Sequence, residues 1–187
     1  MELTKEDIKT FPNLISKDKL QTLQDYVRSM PEPKGKSVDF NKDIPNPDIQ
    51  SIIEHVRDKS YEAITEGFLK PLGFSIKRHI FEEELQIARF SEGIHLPSHS
   101  DCPQWGFELP YFDLTTIMYV NDDYQEGEIY FEQFDYAYKP VAGELLLFPS
   151  YFLHETRFTK PLPNSIGYTQ RASVPVFWSL EVEPIDG

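Results

Sequence analysis

From residue 81 onward the chain breaks into short apolar runs rich in β-branched and aromatic residues, each bounded by Gly, Pro, Asn or Asp. The runs are Phe81 to Phe90, Leu114 to Val120, Glu128 to Phe134, Leu145 to Phe148, Tyr151 to His154 and Tyr168 to Leu180. Branched side chains fit a pleated surface and the bounding residues fit turns, so each run predicts a strand. Strands in such close succession must stack in two sheets or close on themselves to remove their edges. A sandwich or barrel is therefore expected.

The first third has a different period. Ser16 is placed to cap a helix whose apolar positions are Leu20, Leu23, Tyr26 and Val27. Residues 30–46 hold Pro, Gly and Lys without a period and read as a long loop. Asn46 then stands as a cap with Pro47 at the first helical position. Ile49, Ile52, Ile53, Val56, Ala63 and Ile64 follow at helical spacing and predict one amphipathic helix ending near Gly67. The 187 residues suffice for one domain, 1–187, with a sizeable core. Residues 1–70 are expected as mainly helical support, packed on one face of a β core over 75–182. There is no internal repeat and no low-complexity segment.

A net charge of −13 would repel a phosphate backbone, so nucleic acid is not an expected partner; the bland reading of the acidity is a solvated surface. Aromatic residues make up 14% of the chain, too many for a disordered one. No apolar stretch reaches the length needed to cross a bilayer, and the charged first residues lack the apolar run of a signal peptide. Cys102 is the single cysteine, so no intrachain disulfide can form. These features together lead to the expectation of a cytoplasmic protein without a membrane partner.

Of the five histidines, only His99 has an acidic residue two positions later, Asp101. The pair follows a strand end, where functional side chains commonly sit. His154 comes after the apolar strand and turn Gly143 to Ser150. Two imidazoles and one carboxylate can hold a metal on one face and leave its other positions open, as an oxygenase needs. Arg171 and Ser173 share one face of the last strand, and a guanidinium beside a hydroxyl can grip a carboxylate. Each residue also has a plainer reading. His99 and Asp101 could form a surface turn, His154 could be a core histidine, and Arg171 could make a surface ion pair. Cys102 beside Asp101 is no nucleophile, because a neighbouring carboxylate disfavours the thiolate.

The combination resembles the prolyl-4-hydroxylase-like branch of the 2-oxoglutarate- and Fe(II)-dependent oxygenases, over about residues 10–180. The resemblance is carried by Phe11 to Ser16, by Arg89 to Gly93 leading to His99-Ser100-Asp101, and by Thr116 to Asn121. Glu126 to Phe131, Pro140 to Ser150 leading to His154, and Arg171-Ala172-Ser173 complete it. It implies a mainly β fold, a double-stranded β-helix or jelly roll of cupin-like form with supporting helices. It also implies an oxidoreductase of the dioxygenase class with His99, Asp101 and His154 on Fe(II). 2-Oxoglutarate would be anchored by Arg171 and Ser173 and dioxygen would be consumed, with ascorbate a further candidate cofactor. The implied reaction releases succinate and carbon dioxide and hydroxylates an unactivated C–H bond, with proline in a peptide, a protein or free as the leading substrate.

The chain departs from that branch in three places. Phe90 and Leu96 stand where the branch often has Tyr, so a phenol that would touch the co-substrate is missing there. Arg171 lies further beyond His154 than the branch's basic residue does, with Lys160 to Ser165 as an enlarged hairpin loop between them, and Arg157 and Lys160 are rival anchors. Other function classes remain open at this level: a small-molecule or nucleic-acid-base oxygenase, a zinc hydrolase or cupin isomerase using the same ligands, and a binding module with a vacant site. Trp105, Phe107 and Tyr111 form an aromatic run after the metal pair that would either cover a substrate or cap the sheet.

Overall fold

The computed structural model describes residues 4–31, 38–82, 85–101, 111–163 and 170–185. In chain order the regular elements are β1 (Lys9–Phe11), α1 (Lys17–Ser29), β2 (Val38–Asn41), α2 (Pro47–Glu62), β3 (Phe74–Glu82), β4 (Ile87–Ser91) and β5 (Leu96–His99). They continue with β6 (Tyr111–Tyr119), β7 (Tyr124–Glu126), β8 (Ile129–Phe131), β9 (Tyr136–Tyr138), β10 (Leu145–Pro149), β11 (His154–Thr156), β12 (Thr159–Pro161) and β13 (Gln170–Pro184).

The helices begin where their caps place them. The Ser16 hydroxyl accepts from the Lys19 amide at the start of α1. The Asn46 side chain accepts from Asp48 and Ile49 with Pro47 in the first turn of α2. The second helix does not stop near Gly67. It widens into a π segment, Ala63–Leu69, tightens over Lys70–Leu72 and ends at Gly73, which has φ +82. Gly67 serves packing instead, since a Cβ there would lie 2.4 Å from Cε1 of Phe11 on β1. Residues 30–46 are likewise not all loop: Val38 to Asn41 pair antiparallel with β4 as the outermost strand of the large sheet. Local propensity is low there, and the buried Arg89 guanidinium, bonded to Asp39 and to the Pro31 carbonyl, helps hold the strand.

Two sheets form the β unit. The larger runs β1-β10-β6-β13-β4-β2, with β3 also paired to β13, and the smaller runs β5-β11-β8-β9; β7 and β12 form a separate ribbon. The single run expected over Phe81 to Phe90 is two strands, because β4 pairs with Gln170–Ser173 of β13 and β3 with Trp178–Pro184 along the same edge. Pro175 falls in the interval between them, where that edge of β13 carries neither strand and a missing N–H costs no ladder bond there. The run from Tyr151 to His154 also differs from expectation. Ser150 to Leu153 make a turn, with the Phe152 amide on the Pro149 carbonyl, and β11 starts at His154.

Side chains alternate across the large sheet. Leu145 and Leu147 of β10, Met118 of β6 and Val174, Val176 and Trp178 of β13 face the helices. There they pack with Leu23, Val27, Ile49, Ile53, Val56, Ile64 and Phe68. Each of these buried side chains contributes about 1.5–3 kcal/mol of transfer free energy. Leu146, Phe148 and Tyr119 face the other way and pack with Ile129, Phe131, Tyr138 and Phe152. The two facing sheets with helices on the outside make the mainly β jelly roll, or double-stranded β-helix. Among the described residues, no helix is long and apolar enough to cross a membrane.

Gly67→Ala weighs a gain in helix propensity of about 1 kcal/mol against overpacking on Phe11 of about 1–3 kcal/mol. A Cβ at Gly67 would displace the Phe11 ring from its packing on this helix, so the variant should be destabilised, and adding Phe11→Leu should restore most of the loss. Urea denaturation of the single and double variants measures both.

Candidate metal centre and its cavity

β5 and β11 lie side by side with His99 directly opposite His154, and their ring centroids are 4.4 Å apart. Asp101 follows β5 and is tied down by its own amide, which donates to the Ser150 carbonyl at 2.9 Å. The carboxylate oxygens lie 3.4 Å from His99 Nε2 and 3.7 Å from His154 Nε2. The three ligand atoms all fall within 4.8 Å of one another. Two atoms sharing one ion at about 2.0–2.2 Å lie no more than about 4.4 Å apart, and both His–Asp distances are inside that limit. Strand pairing thus brings together three residues separated by as many as 55 positions.

The imidazoles are oriented from behind. His99 Nδ1 lies 2.8 Å from the Pro97 carbonyl and His154 Nδ1 lies 2.9 Å from the Phe152 carbonyl. A carbonyl can only accept, so each Nδ1 carries a proton and each Nε2 presents a lone pair toward Asp101, the tautomer a metal ligand needs. The Thr115 hydroxyl donates to Asp101 Oδ2 at 2.9 Å and stands 2.9 Å from the Ser150 hydroxyl. The Asp101 carboxylate beside His99 holds that imidazole above its ordinary pKa, with burial opposing. Burial pushes His154 below its ordinary value, with Asp101 opposing, so the more buried imidazole favours the neutral form that a metal requires.

A cavity of about 110 Å³ lies between the sheets with the three residues on one wall. β13 supplies Arg171, Ser173, Pro175 and Phe177, every second residue of one face. β4 adds Ala88 and Phe90, β6 adds Ile117 and Tyr119, and β2 adds Phe40. Arg171 is 2% exposed. Its guanidinium carbon sits 4.0 Å from the centre of the Phe90 ring and its Nη1 donates to the Gly127 carbonyl at 3.3 Å, while Nε has no partner. Among the described residues no carboxylate pairs with it. An uncompensated buried cation costs several kcal/mol, which an incoming carboxylate would offset. Phe90, in place of the tyrosine of the related branch, gives Arg171 a π face. A phenol is still present: Tyr119 lines the cavity, fully buried, with an unpaired hydroxyl, and burial pushes its pKa up.

The rival cations lie elsewhere. Arg157 is on the surface, 4.2 Å over the Tyr130 ring and bonded to Glu155, and Lys160 pairs with Glu126; neither lines the cavity. His79 packs on Trp178 and His95 on Phe158, away from the metal-facing atoms. Cys102, Trp105, Phe107 and part of the loops at 30–46 and 160–165 lie outside the described residues, as does the side chain of Tyr111.

Solved structures share this architecture. The viral collagen prolyl hydroxylase of Paramecium bursaria Chlorella virus-1, in complex with 2-oxoglutarate, superposes with TM-score 0.66 at 15% identity, over 95% of this chain and 97% of that one. The fold is that of the prolyl-hydroxylase-like 2-oxoglutarate oxygenases. A Trichoplax adhaerens prolyl hydroxylase, in complex with a hypoxia-inducible-factor peptide fragment, gives TM-score 0.62 at 13% identity, over 93% and 84% of the two chains. HygX of Streptomyces hygroscopicus, with nickel and 2-oxoglutarate bound, gives 0.56 at 12%, over 96% and 88%. No family sequence pattern matches the chain, and no curated protein matches it by sequence.

Within this oxygenase fold, sequence reasoning passed over Thr115, Tyr119 and Ser150. A period-two reading of β6 would have found two of them, since Thr115, Ile117 and Tyr119 share the face that meets Asp101 and the cavity. Thr115→Val keeps the shape and removes the donor to Asp101. It should weaken Mn(II) or Fe(II) binding by about 10–100-fold, measured by metal titration, with little change in Tm.

Proposed function

We propose that this chain is an Fe(II)- and 2-oxoglutarate-dependent dioxygenase. The observation that carries the reading is the buried, carboxylate-free Arg171 guanidinium in the same cavity as the His99, Asp101 and His154 set. The donor set fits the metal: two neutral imidazole nitrogens and one carboxylate on one side leave the remaining positions open. The anchor fits 2-oxoglutarate, a dicarboxylate whose far carboxylate would pair with Arg171, Ser173 and Tyr119. Metal, 2-oxoglutarate and dioxygen together supply an oxidation that hydroxylates a C–H bond while releasing succinate and carbon dioxide. The protein's own part is positional. Thr115 and Ser150 fix Asp101, the Pro97 and Phe152 carbonyls fix the imidazoles, and Ile117, Ile129, Leu96, Pro175 and Phe177 keep the cavity apolar and water-poor.

The substrate we infer is proline within a peptide or protein. The fold comparison with prolyl hydroxylases supports this, as do the apolar side chains Phe40, Leu96, Pro175 and Phe177 around the cavity, which suit a ring without charge. A proline-rich chain also enters such a groove preformed and loses little entropy. HygX, with hygromycin B bound in another structure, supports a second reading, a small-molecule substrate.

Succinate should form from 2-oxoglutarate when Fe(II) is added, and His99→Ala, Asp101→Ala or His154→Ala should each abolish it. Losing one half of a buried pair costs about 3–5 kcal/mol, so Arg171→Ala should raise the apparent KM for 2-oxoglutarate by roughly two to four orders of magnitude. Arg157→Ala and Lys160→Ala should change it little; the reverse ranking would move the anchor. Mass spectrometry of a peptide panel, run beside free L-proline and methylated oligonucleotides, tests the substrate. Proline-containing peptides should gain one oxygen atom, with Trp105→Ala weakening their stimulation of turnover. Oxygen on free proline alone would make the substrate a small molecule, and demethylation without peptide product would sink the prolyl reading.

A further inference from the structure

Strand β2 adds little to the core. None of the four side chains Val38 to Asn41 is buried, and Phe40 is 50% exposed, the most exposed large apolar side chain among the described residues. The strand is nonetheless held from behind. Arg89 of β4, 3% exposed, gives Nε and Nη2 to the Asp39 carboxylate and Nη1 to the Pro31 carbonyl at 2.9 Å. Taking a guanidinium out of water is costly, and its pairing returns little net stability. What the pair secures is the placement of β2 rather than its burial.

Two features of that placement point outward from the fold. β2 is the last strand of the large sheet, and among the described residues no strand pairs with its second edge. Alternate N–H and C=O groups along such an edge can receive another extended chain. The register sets Phe40 opposite Ala88 and Val38 opposite Phe90, the residues through which β4 faces the cavity, while Asp39 stands opposite Arg89 on the helix side. Phe40 thus lines the cavity that holds His99, Asp101 and His154, with half of its surface in solvent. Scattered exposed apolar side chains need no explanation. One at the rim of a candidate active site, on an edge locked in position, has the setting of an aromatic anchor.

We propose that β2 is the docking edge for the substrate polypeptide. Resting on the peptidyl-proline reading above, residues beside the target proline add to β2 as a further strand of the large sheet. Phe40 packs on the proline ring as it enters the cavity. Proline has no N–H to give, so the paired groups belong to its neighbours. An edge already fixed by Arg89 and Asp39 spares the complex the cost of ordering it on binding.

The test uses the full chain loaded with Mn(II) and 2-oxoglutarate, without oxygen, and a library of nine-residue peptides with proline fixed at the centre. The tightest binder is remade with alanine at the centre, and separately with a single N-methyl group on each flanking amide. Alternate positions on one side of the proline should lose about fivefold in affinity, one main-chain hydrogen bond each, and the positions between them should not. Amide deuterium exchange over residues 38–41 should slow when the peptide binds. In Asp39→Asn the N-methyl penalty should vanish, which a general loss of stability would not produce. Phe40→Ala should weaken the proline peptide by about tenfold and leave its alanine-centred twin nearly unchanged. A uniform response to N-methylation, no protection at 38–41, or an equal loss for both peptides in Phe40→Ala would overturn the inference and leave the prolyl reading standing. No binder anywhere in the library would overturn both.

Discussion

Strand β13 is the constraint on which the site and the core both depend. It is buried on both faces from Gln170 to Val176 and carries β6 along one edge and β4 then β3 along the other. Strand geometry sends alternate side chains to opposite sides, so Arg171, Ser173, Pro175 and Phe177 enter the cavity while Ala172, Val174, Val176 and Trp178 bury against the helices. A slip of one residue in its pairing would exchange the two sets, placing the guanidinium in the helix-packed core and valines in the cavity. The register is held by more than the ladder. The Asn121 amide donates to the Gln170 carbonyl and its oxygen accepts from the Ala172 amide, while the Trp178 indole donates to the Thr116 hydroxyl.

The same division explains the distribution of polarity. The helix-facing layer is almost wholly apolar, and the Thr116 hydroxyl and Trp178 indole buried in it pair with each other. The cavity-facing layer concentrates two imidazoles, a carboxylate, a guanidinium and several hydroxyls. Of the five buried side-chain groups without a partner among the described residues, one is Arg171 Nε itself, two are the Tyr119 and Tyr124 hydroxyls within its electrostatic reach, and the fourth is Thr159, which meets Tyr124 at the Gly127 turn. A fold that satisfies its polar atoms elsewhere and leaves them unsatisfied in one place has given up stability at that place, as binding sites do. The fifth, the Gln170 oxygen, lies on the helix side, where its amide nitrogen donates to the Val27 carbonyl; nothing in the structure explains the unpaired oxygen.

The wall that carries the candidate metal set is built on a different principle. The small sheet contributes short strands, and its two candidate ligands are oriented by turns: Pro97 and Phe152 each turn a carbonyl toward the imidazole two residues on. The turn at Ser150 to Leu153, where a strand was expected, is therefore the device that aims His154. Its Ser150 carbonyl also anchors the Asp101 backbone, so one turn sets two of the three residues.

The sequence alone determined what local chemistry can determine. Cap residues and period placed the helix starts at Ser16 and Asn46, composition placed most of the strands, and the spacing of His99 and Asp101 with a later His154 singled out the candidate metal set. It could not show that Gly67 makes room for Phe11 rather than ending a helix, that Val38 to Asn41 join the large sheet, or that Tyr119 shares the cavity with Arg171. Nor could it choose among Arg171, Arg157 and Lys160, since all three are cations within reach of His154 along the chain. Only strand pairing, which joins residues far apart in sequence, decided that Arg171 is buried without a carboxylate while the other two pair at the surface. Burial is a property of that assembled pairing, and burial without a carboxylate is what the proposed anchoring role of Arg171 requires.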